Sequence, residues 1–176
     1  MKYKFLLLSI LFIPSFAKTE KIVSKMTALT IELPRDWNHV TDLYGIPHAI
    51  IAPSFEEKKR TIIAITPTGR KFSELSKIDF SKDQKNYEKG RAQWVKKYEG
   101  KIIKFLKYKE NPLIKIKESH QYGYQYAFQD TNKEEITIFA NCNKELVHFK
   151  IMSDLNDKES RDQAVNILNS IECGDK

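Results

Sequence analysis

Apolar and polar residues alternate in short runs along much of the chain. Alternation over four to eight residues is typical of a β-strand with one buried face. Pro, Gly and charged residues separate the runs, as turns separate the strands of an antiparallel sheet. In the first part of the chain the pattern predicts strands at 29–33, 37–40, 48–52 and 61–66.

A helical period replaces the alternation in the middle of the chain and predicts a helix over 81–99. Ser81 and Gln84 have the spacing of a capping box at its start. Gly100 stands where a left-handed residue commonly ends a helix. One face is predicted to turn aromatic side chains towards a core, and it consists of Tyr87, Arg91, Trp94, Val95 and Tyr98.

Strand-like runs return after this helix, and short links rich in Asn, Asp and Pro separate them. Short links favour hairpins, and hence an antiparallel meander. The strands are predicted at 101–109, 113–118, 122–129, 134–142 and 145–152. A second amphipathic helix is predicted over 157–171, with a buried stripe of Ala164, Val165, Ile167, Leu168 and Ile171.

Residues 67–80 follow neither period, and we interpret them as a long loop with at most one helical turn. Long loops in compact domains are often functional, so this segment is a candidate contact region. Its TPTGR string has a single Gly and lacks the Lys-Ser/Thr pair that follows in a phosphate-binding loop.

One predicted strand carries aromatic residues at every second position, Tyr122, Tyr124, Tyr126 and Phe128, which places them on one face. We favour a core face packed under a helix, with hydroxyl groups reaching its rim, because the opposite face is the more polar one. The alternative is an aromatic platform for a glycan or lipid.

The first seventeen residues have the composition of a secretory signal peptide. Lys2 and Lys4 precede an apolar run, and Ser15 and Ala17 supply small residues at the cleavage site. The run is shorter than the roughly 20 residues that span a bilayer. We therefore expect cleavage after Ala17, no transmembrane segment in the mature chain, and a periplasmic or secreted protein.

The remaining residues, 18–176, have the size and composition of a single globular domain. The chain is 41% hydrophobic and 30% charged, which excludes a disordered protein. Its net charge of +7 becomes +5 when Lys2 and Lys4 are removed. Between residues 96 and 118 eight lysines stand against three glutamates, so the basic character of the mature chain is local.

Two hypotheses explain the lysines of the predicted hairpin 101–117. They could protect an exposed sheet edge against aggregation. They could instead bind an anionic partner such as acidic lipid headgroups, a cell-wall polymer or an acidic protein. Nucleic acid is not expected as a partner, since no base-stacking aromatic residues alternate with these lysines in an exported chain. The candidate surface consists of Lys101, Lys104, Lys107, Lys109, Lys115 and Lys117.

Cys142 and Cys173 are the two cysteines of the chain. An even number in an exported protein favours a disulfide bond. Two free thiols and a metal site are the alternatives. A metal site would need clustered ligands, and the four histidines, His39, His48, His120 and His148, are scattered without ligand spacing.

No catalytic motif is present: the chain contains no GxSxG, HExxH, CxxC or Gly-rich phosphate loop. His148 alternates with Val147 and Phe149, and we expect it to be solvated rather than a catalytic base. The sequence therefore predicts no enzyme, no cofactor and no metal.

Two segments carry a family resemblance. LTIELPRDW (29–37) resembles the opening strand of the PsbP/Mog1-like superfamily, which includes bacterial DcrB-type exported domains. The strand and helix of 145–173, ending in NILNSIEC, resemble its closing pattern. The resemblance spans about 26–173. It implies an α+β fold, an α/β/α sandwich with a central, mainly antiparallel sheet, and it transfers no active site or partner-binding residue.

Members of this superfamily resemble binding or assembly modules rather than enzymes. We therefore expect an exported module that acts through surface contacts on a protein or an anionic envelope component. Residues 67–80 and the lysine hairpin are the expected contact regions. The alternatives are a carrier of a small apolar ligand or lipid, held between the sheet and a helix, and an immunity-type inhibitor of a toxin enzyme.

Overall fold

The computed structural model describes residues 17–54, 56–75 and 77–175, so the predicted signal peptide lies outside the described residues except for Ala17. Two α-helices are present in the described part, α1 (Phe80–Lys97) and α2 (Lys158–Ser170). The strands there are β1 (Lys18–Val23), β2 (Ala28–Leu33), β3 (Asn38–Leu43), β4 (Ile46–Ile51), β5 (Ile62–Lys71), β6 (Lys101–Phe105), β7 (Lys109–Glu110), β8 (Ser119–Phe128), β9 (Thr131–Cys142), β10 (Glu145–Asp154) and β11 (Glu172–Gly174).

The strands form two sheets. The larger has eight strands in the order β3-β4-β5-β10-β9-β8-β6, and β7 also pairs with β8. The smaller has three strands in the order β1-β2-β11. The pairings are antiparallel. The α+β class and the mainly antiparallel sheet are thus confirmed, whereas one central sheet was too simple a prediction. The α/β/α layering stays a prediction.

The core contains residues of the small sheet, of α2 and of one face of the large sheet. Trp37 follows β2, is completely buried, and donates its indole Nε1–H to Gln163 Oε1 of α2 at 2.9 Å. Alternate residues of β10 enter this core, and Phe149 is fully buried there. Strand β1 was not predicted because its sequence is largely polar. Of its six residues only Ile22 is buried.

The helix predicted over 81–99 is confirmed, but its cap is different. Asp79, not Ser81, is the N-cap, and its carboxylate accepts a hydrogen bond from the backbone N–H of Lys82 at 3.2 Å. The Lys82 side chain and this N–H hold the pKa of Asp79 at about 2. Gln84 does not complete a capping box. Its Oε1 accepts a hydrogen bond from the backbone of Tyr108 and so ties α1 to the next segment.

The end of α1 also differs from the prediction. Glu99 is the left-handed residue, with φ 60°, and Gly100 is needed for a different reason. A Cβ at Gly100 would lie 2.9 Å from the carbonyl oxygen of Ala127 and 2.9 Å from the Val95 side chain. Only glycine lets the chain leave the helix so close to β8.

The Asp157 carboxylate caps α2 by accepting the Ser160 N–H at 3.0 Å. We expect Asp157→Ala to lower the free energy of unfolding by about 1 kcal/mol, because the first turn loses an acceptor for an otherwise unpaired donor. Asp157→Asn keeps an acceptor and should cost less than half as much. Urea unfolding followed by circular dichroism measures both losses, and equal losses would contradict the capping role.

The predicted buried stripe of α2 is correct for Ala164, Ile167, Leu168 and Ile171. Val165 is the exception, with 40% of its surface exposed.

The prediction of a long loop over 67–80 is wrong for the first half of this segment. Strand β5 continues through Pro67 to Lys71 because β10 pairs with it, across a register shift between Glu145 and Val147. The backbone N–H of Gly69 donates to the buried Glu145 carboxylate at 2.8 Å. A short 3-10 turn, Phe72–Leu75, follows with Phe72 buried. Residues 67–75 are therefore strand and 3-10 turn rather than part of a long loop.

The strand predicted at 113–118 is absent, and 101–109 is divided into β6 and β7. In the irregular segment 111–118, Leu113 and Ile116 are buried while Ile114 is 81% exposed. A strand buries every second residue, whereas this segment buries two residues three positions apart. Both belong to the core cluster that also contains residues of α2. The predicted lysine hairpin 101–117 therefore does not exist.

Candidate functional site

Residues 101–110 contain β6 and β7, which both pair with β8 at one edge of the large sheet. Lys101 is the register partner of Ala127 and Lys104 that of Gln125. Lys109 pairs with Gln121 in the same way. No described strand pairs with the outer side of β6, so it is an edge strand. Four exposed lysines, which we call the lysine edge, lie along residues 101–110: Lys101, Lys104, Lys107 and Lys109.

The other two predicted surface lysines lie elsewhere, in the irregular segment 111–118. Lys115 Nζ is 2.6 Å from Glu172 Oε1 of β11, and this hydrogen bond raises the pKa of the Lys115 side chain. Lys117 is exposed. The backbone N–H of Ile114 donates to Asn169 Oδ1, which ties this segment to α2. The six lysines are thus not one hairpin, and their binding of an anionic partner stays a prediction.

An aromatic recess of about 180 Å³ lies where α1 ends and the chain turns into β6. Two of its aromatic rings are half-exposed, Trp94 at 42% and Tyr98 at 48%. Their ring centroids are 5.0 Å apart. The recess is lined by Trp94, Val95, Tyr98, Gly100, Tyr126 and Phe128.

The exposure of these rings corrects the prediction that they face the core. Val95 is the buried residue of this turn, whereas Trp94 and Tyr98 lie at its side. Tyr126 of β8 meets Trp94 edge to face, with centroids 6.4 Å apart, and Trp94 and Tyr98 remain half-exposed. The sequence signal was an i, i+4 aromatic pair in the last turns of a lysine-rich helix, which is equally compatible with a core face.

Two lysines of α1 lie next to the recess, and the lysine edge follows it along the chain. Lys97 Nζ lies 5.6 Å from the centroid of the Tyr98 ring. Lys96 and Lys97 are exposed in the last turn of α1, where the helix dipole favours positive charge. Lys101 follows Gly100 of the recess directly, so the recess and the lysine edge are continuous along the chain.

The aromatic face of β8 is a packed face at its first half, as predicted. Tyr87 of α1 stacks on Tyr122, with ring centroids 4.7 Å apart. The Tyr122 hydroxyl donates to the carbonyl oxygen of Phe80 at 2.6 Å. Burial, assisted by the Glu135 carboxylate, raises the pKa of Tyr87 to about 12. An open platform of Tyr122 and Tyr124 is therefore contradicted.

The two cysteines are adjacent, as predicted. Cys142 ends β9 and is fully buried, and a disulfide joins it to Cys173 of β11, with Cα atoms 5.2 Å apart. The bridge connects the large sheet to the small one. That it forms in the cell stays a prediction.

His148 is half-buried, whereas a solvated side chain was predicted. Its ring lies edge to face on Phe139, with centroids 4.7 Å apart. Burial is the first cause that lowers its pKa, followed by the charges of Lys150 and Arg70.

Over residues 17–54, 56–75 and 77–175, no three or more His, Cys, Asp or Glu side chains are grouped so that they could hold a metal ion. In the same ranges no helix combines the length and apolar character needed to cross a membrane.

The arrangement of an eight-stranded antiparallel sheet, a small second sheet and two helices is shared with two solved structures. One of them is a PsbP, so the PsbP-like fold expected from the resemblance in the sequence is confirmed. The chain is similar to the solution structure of PsbP (CyanoP) from the cyanobacterium Synechocystis sp. PCC 6803, with a TM-score of 0.55 and 9% identity over 90% of this chain and 92% of that one.

It is also similar to the crystal structure of LpqN, a protein involved in cell envelope biogenesis of Mycobacterium tuberculosis. The TM-score is 0.59 and the identity 12%, over 90% of this chain and 91% of that one. No family model matches the sequence. No curated protein matches it either. Sequence identities this low establish the shared fold alone.

Proposed function

We propose that this protein is an exported, non-enzymatic binding module that docks on an anionic lipid surface of the cell envelope. The observation that supports it is the pair of half-exposed rings, Trp94 and Tyr98, next to the exposed Lys96 and Lys97 at the end of α1. The lysines of a free sheet edge follow them directly along the chain. The aromatic recess would enter the interfacial region of the membrane, and the lysine edge would face the headgroups.

The physical chemistry of the two parts is complementary. Trp and Tyr rings have an apolar body and a polar end, and they concentrate at membrane–water interfaces. Each lysine close to an anionic membrane contributes about 1 kcal/mol. Exposed aromatic rings without nearby charge would favour self-association, whereas the adjacent Lys96 and Lys97 favour an anionic partner.

Two further features agree with this proposal. LpqN, which shares the fold, is involved in cell envelope biogenesis. A disulfide bond is also typical of proteins that fold outside the cytoplasm. By contrast, the recess volume of about 180 Å³ is below the roughly 300–1,000 Å³ of small-molecule pockets, so it favours surface contact over enclosure of a whole lipid.

The lysine edge is tested by replacing Lys101, Lys104, Lys107 and Lys109 with glutamine. We expect at least tenfold weaker binding to vesicles of phosphatidylglycerol and phosphatidylcholine in vesicle sedimentation at low salt. The control carries the same charge change at four other exposed lysines, Lys58, Lys77, Lys144 and Lys158. Because electrostatic attraction is screened over about 8 Å at physiological ionic strength, the difference should shrink as salt is added.

A second variant, Trp94→Ser with Tyr98→Ser, keeps every lysine and removes the two rings. It should weaken binding at high salt as well, since the apolar contribution is not screened. Trp94 fluorescence of the wild-type protein should shift to shorter wavelength on the vesicles. If the lysine-edge variant and its control bind equally, the lysines protect the edge only.

A further inference from the structure

On the face of the large sheet that carries α1, the helix leaves strands β10, β5 and β4 partly uncovered. Two rows of register partners cross β9, β10 and β5 beside it. Thr137, Lys150 and Ala64 form one row, and Phe139, His148 and Thr66 form the other. With Arg91 of α1 as a wall, these rows line a cavity of about 370 Å³, which we call the α1 groove.

Two cations share one buried carboxylate at this groove. Glu135 is almost completely buried, and its Oε1 lies 3.3 Å from Lys150 Nζ and 3.7 Å from Arg91 Nη1. Both basic side chains remain 34% exposed. Among the described residues neither Lys150 nor Arg91 has a second carboxylate within 4.0 Å, so the rim carries one positive charge more than it has negative charges. An anionic ligand would balance this charge.

His148 supplies an unsatisfied polar atom. Its Nε2 is buried and, in the part of the chain that the structure describes, has no hydrogen-bond partner. Burial and the nearby charges of Lys150 and Arg70 lower its pKa, so the ring is neutral at pH 7 and offers one donor and one acceptor. A buried polar group without a partner is unfavourable unless a ligand or water completes it.

The rest of the lining is apolar and comes from Ile46, Ala64, Phe139 and Met152. Pockets of about 300–1,000 Å³ with a few convergent polar groups are typical of small-molecule sites.

We propose that the α1 groove binds a small organic monocarboxylate. Its carboxylate pairs with Lys150 and Arg91, a polar group reaches His148, and an apolar body lies on Phe139. A monoanion matches the single surplus charge, whereas a dianion such as a phosphate monoester would leave a negative charge over buried Glu135. This site is separate from the membrane-docking surface and does not depend on it.

The test uses the folded protein and three probes: phenylacetate, hexanoate and the neutral analogue phenylacetamide. In ¹H–¹⁵N spectra we expect at least one acid to give saturable shifts at millimolar concentration for the backbone amides of 64–66, 137–139 and 148–150. Phenylacetamide should bind at least tenfold more weakly than phenylacetate. Absence of saturable shifts with both acids, or equal affinity for the amide, would overturn the site.

Lys150→Gln removes the surplus charge and should weaken binding of the acid at least tenfold. Lys144→Gln is the matched change at an exposed turn between β9 and β10, and it should leave the affinity for the acid unchanged. Equal weakening by the two variants would reduce the effect to overall charge and contradict the proposal. If Lys150→Gln does not fold, the comparison of acid and amide on the wild-type protein still decides the matter.

Discussion

Replacing Trp37 by alanine should lower the free energy of unfolding by about 3–5 kcal/mol, the range for truncating a large buried aromatic residue. The indole has no exposed surface and belongs to the core cluster that contains residues of the small sheet and α2. Alanine would leave a cavity and remove the hydrogen bond to Gln163. Urea unfolding followed by far-ultraviolet circular dichroism measures the loss without depending on tryptophan fluorescence.

The chain contains its own control for this change. Trp94→Ala is the same substitution at a residue that is 42% exposed, and it should cost less than half as much. Trp37→Phe keeps most of the apolar volume and should lose about 1–2 kcal/mol, in part from the missing indole hydrogen bond. Similar losses for Trp37→Ala and Trp94→Ala would show that Trp37 is not a core residue.

Removal of the disulfide is expected to have the second large effect. Cys142 and Cys173 are 31 positions apart, and closing a loop of this length stabilises a fold by about 3–4 kcal/mol on the chain-entropy model. We expect a loss of that order for the double variant Cys142→Ala, Cys173→Ala. Alanine is the appropriate replacement because a serine hydroxyl at buried position 142 would add an unsatisfied polar group.

Two measurements separate the bond from side-chain packing. A reductant should destabilise the wild-type protein and leave the double variant unchanged. Iodoacetamide should add mass to the exported protein only after reduction and unfolding. Thiols that react in unreduced material, or equal unfolding midpoints with and without reductant, would rule out the bridge.

The regular elements with a strong period were predictable from sequence. The helix at 81–99 and the strands at 134–142 and 145–152 agree with α1, β9 and β10 to within three residues at each end. Errors arose where the period was weak or misleading. Strand β1 is polar because it lies at one end of a small sheet, and 113–118 alternates by composition although its backbone is irregular.

The candidate sites were less predictable than the fold. The sequence predicted one surface of six lysines, but only Lys101, Lys104, Lys107 and Lys109 lie along the free edge of the sheet. The exposure of Trp94 and Tyr98 was missed, because an aromatic helical face has the same spacing whether a neighbour covers it or not. The α1 groove combines residues from α1, β5, β9 and β10, which are far apart in the sequence, so no local motif could predict it.

By itself, the sequence determined which segments could be helix or strand, the local excess of positive charge, and the resemblance that the shared fold confirmed. These depend on periodicity and composition, which are properties of neighbouring residues in the chain. Only the tertiary structure decided which sheet edge is free, that Trp94 is open while Trp37 is enclosed, and that His148, Lys150 and Arg91 line one groove. Whether a side chain is buried, and which side chains meet, depends on which distant segments pack together. The period within one segment does not say which other segment packs against it.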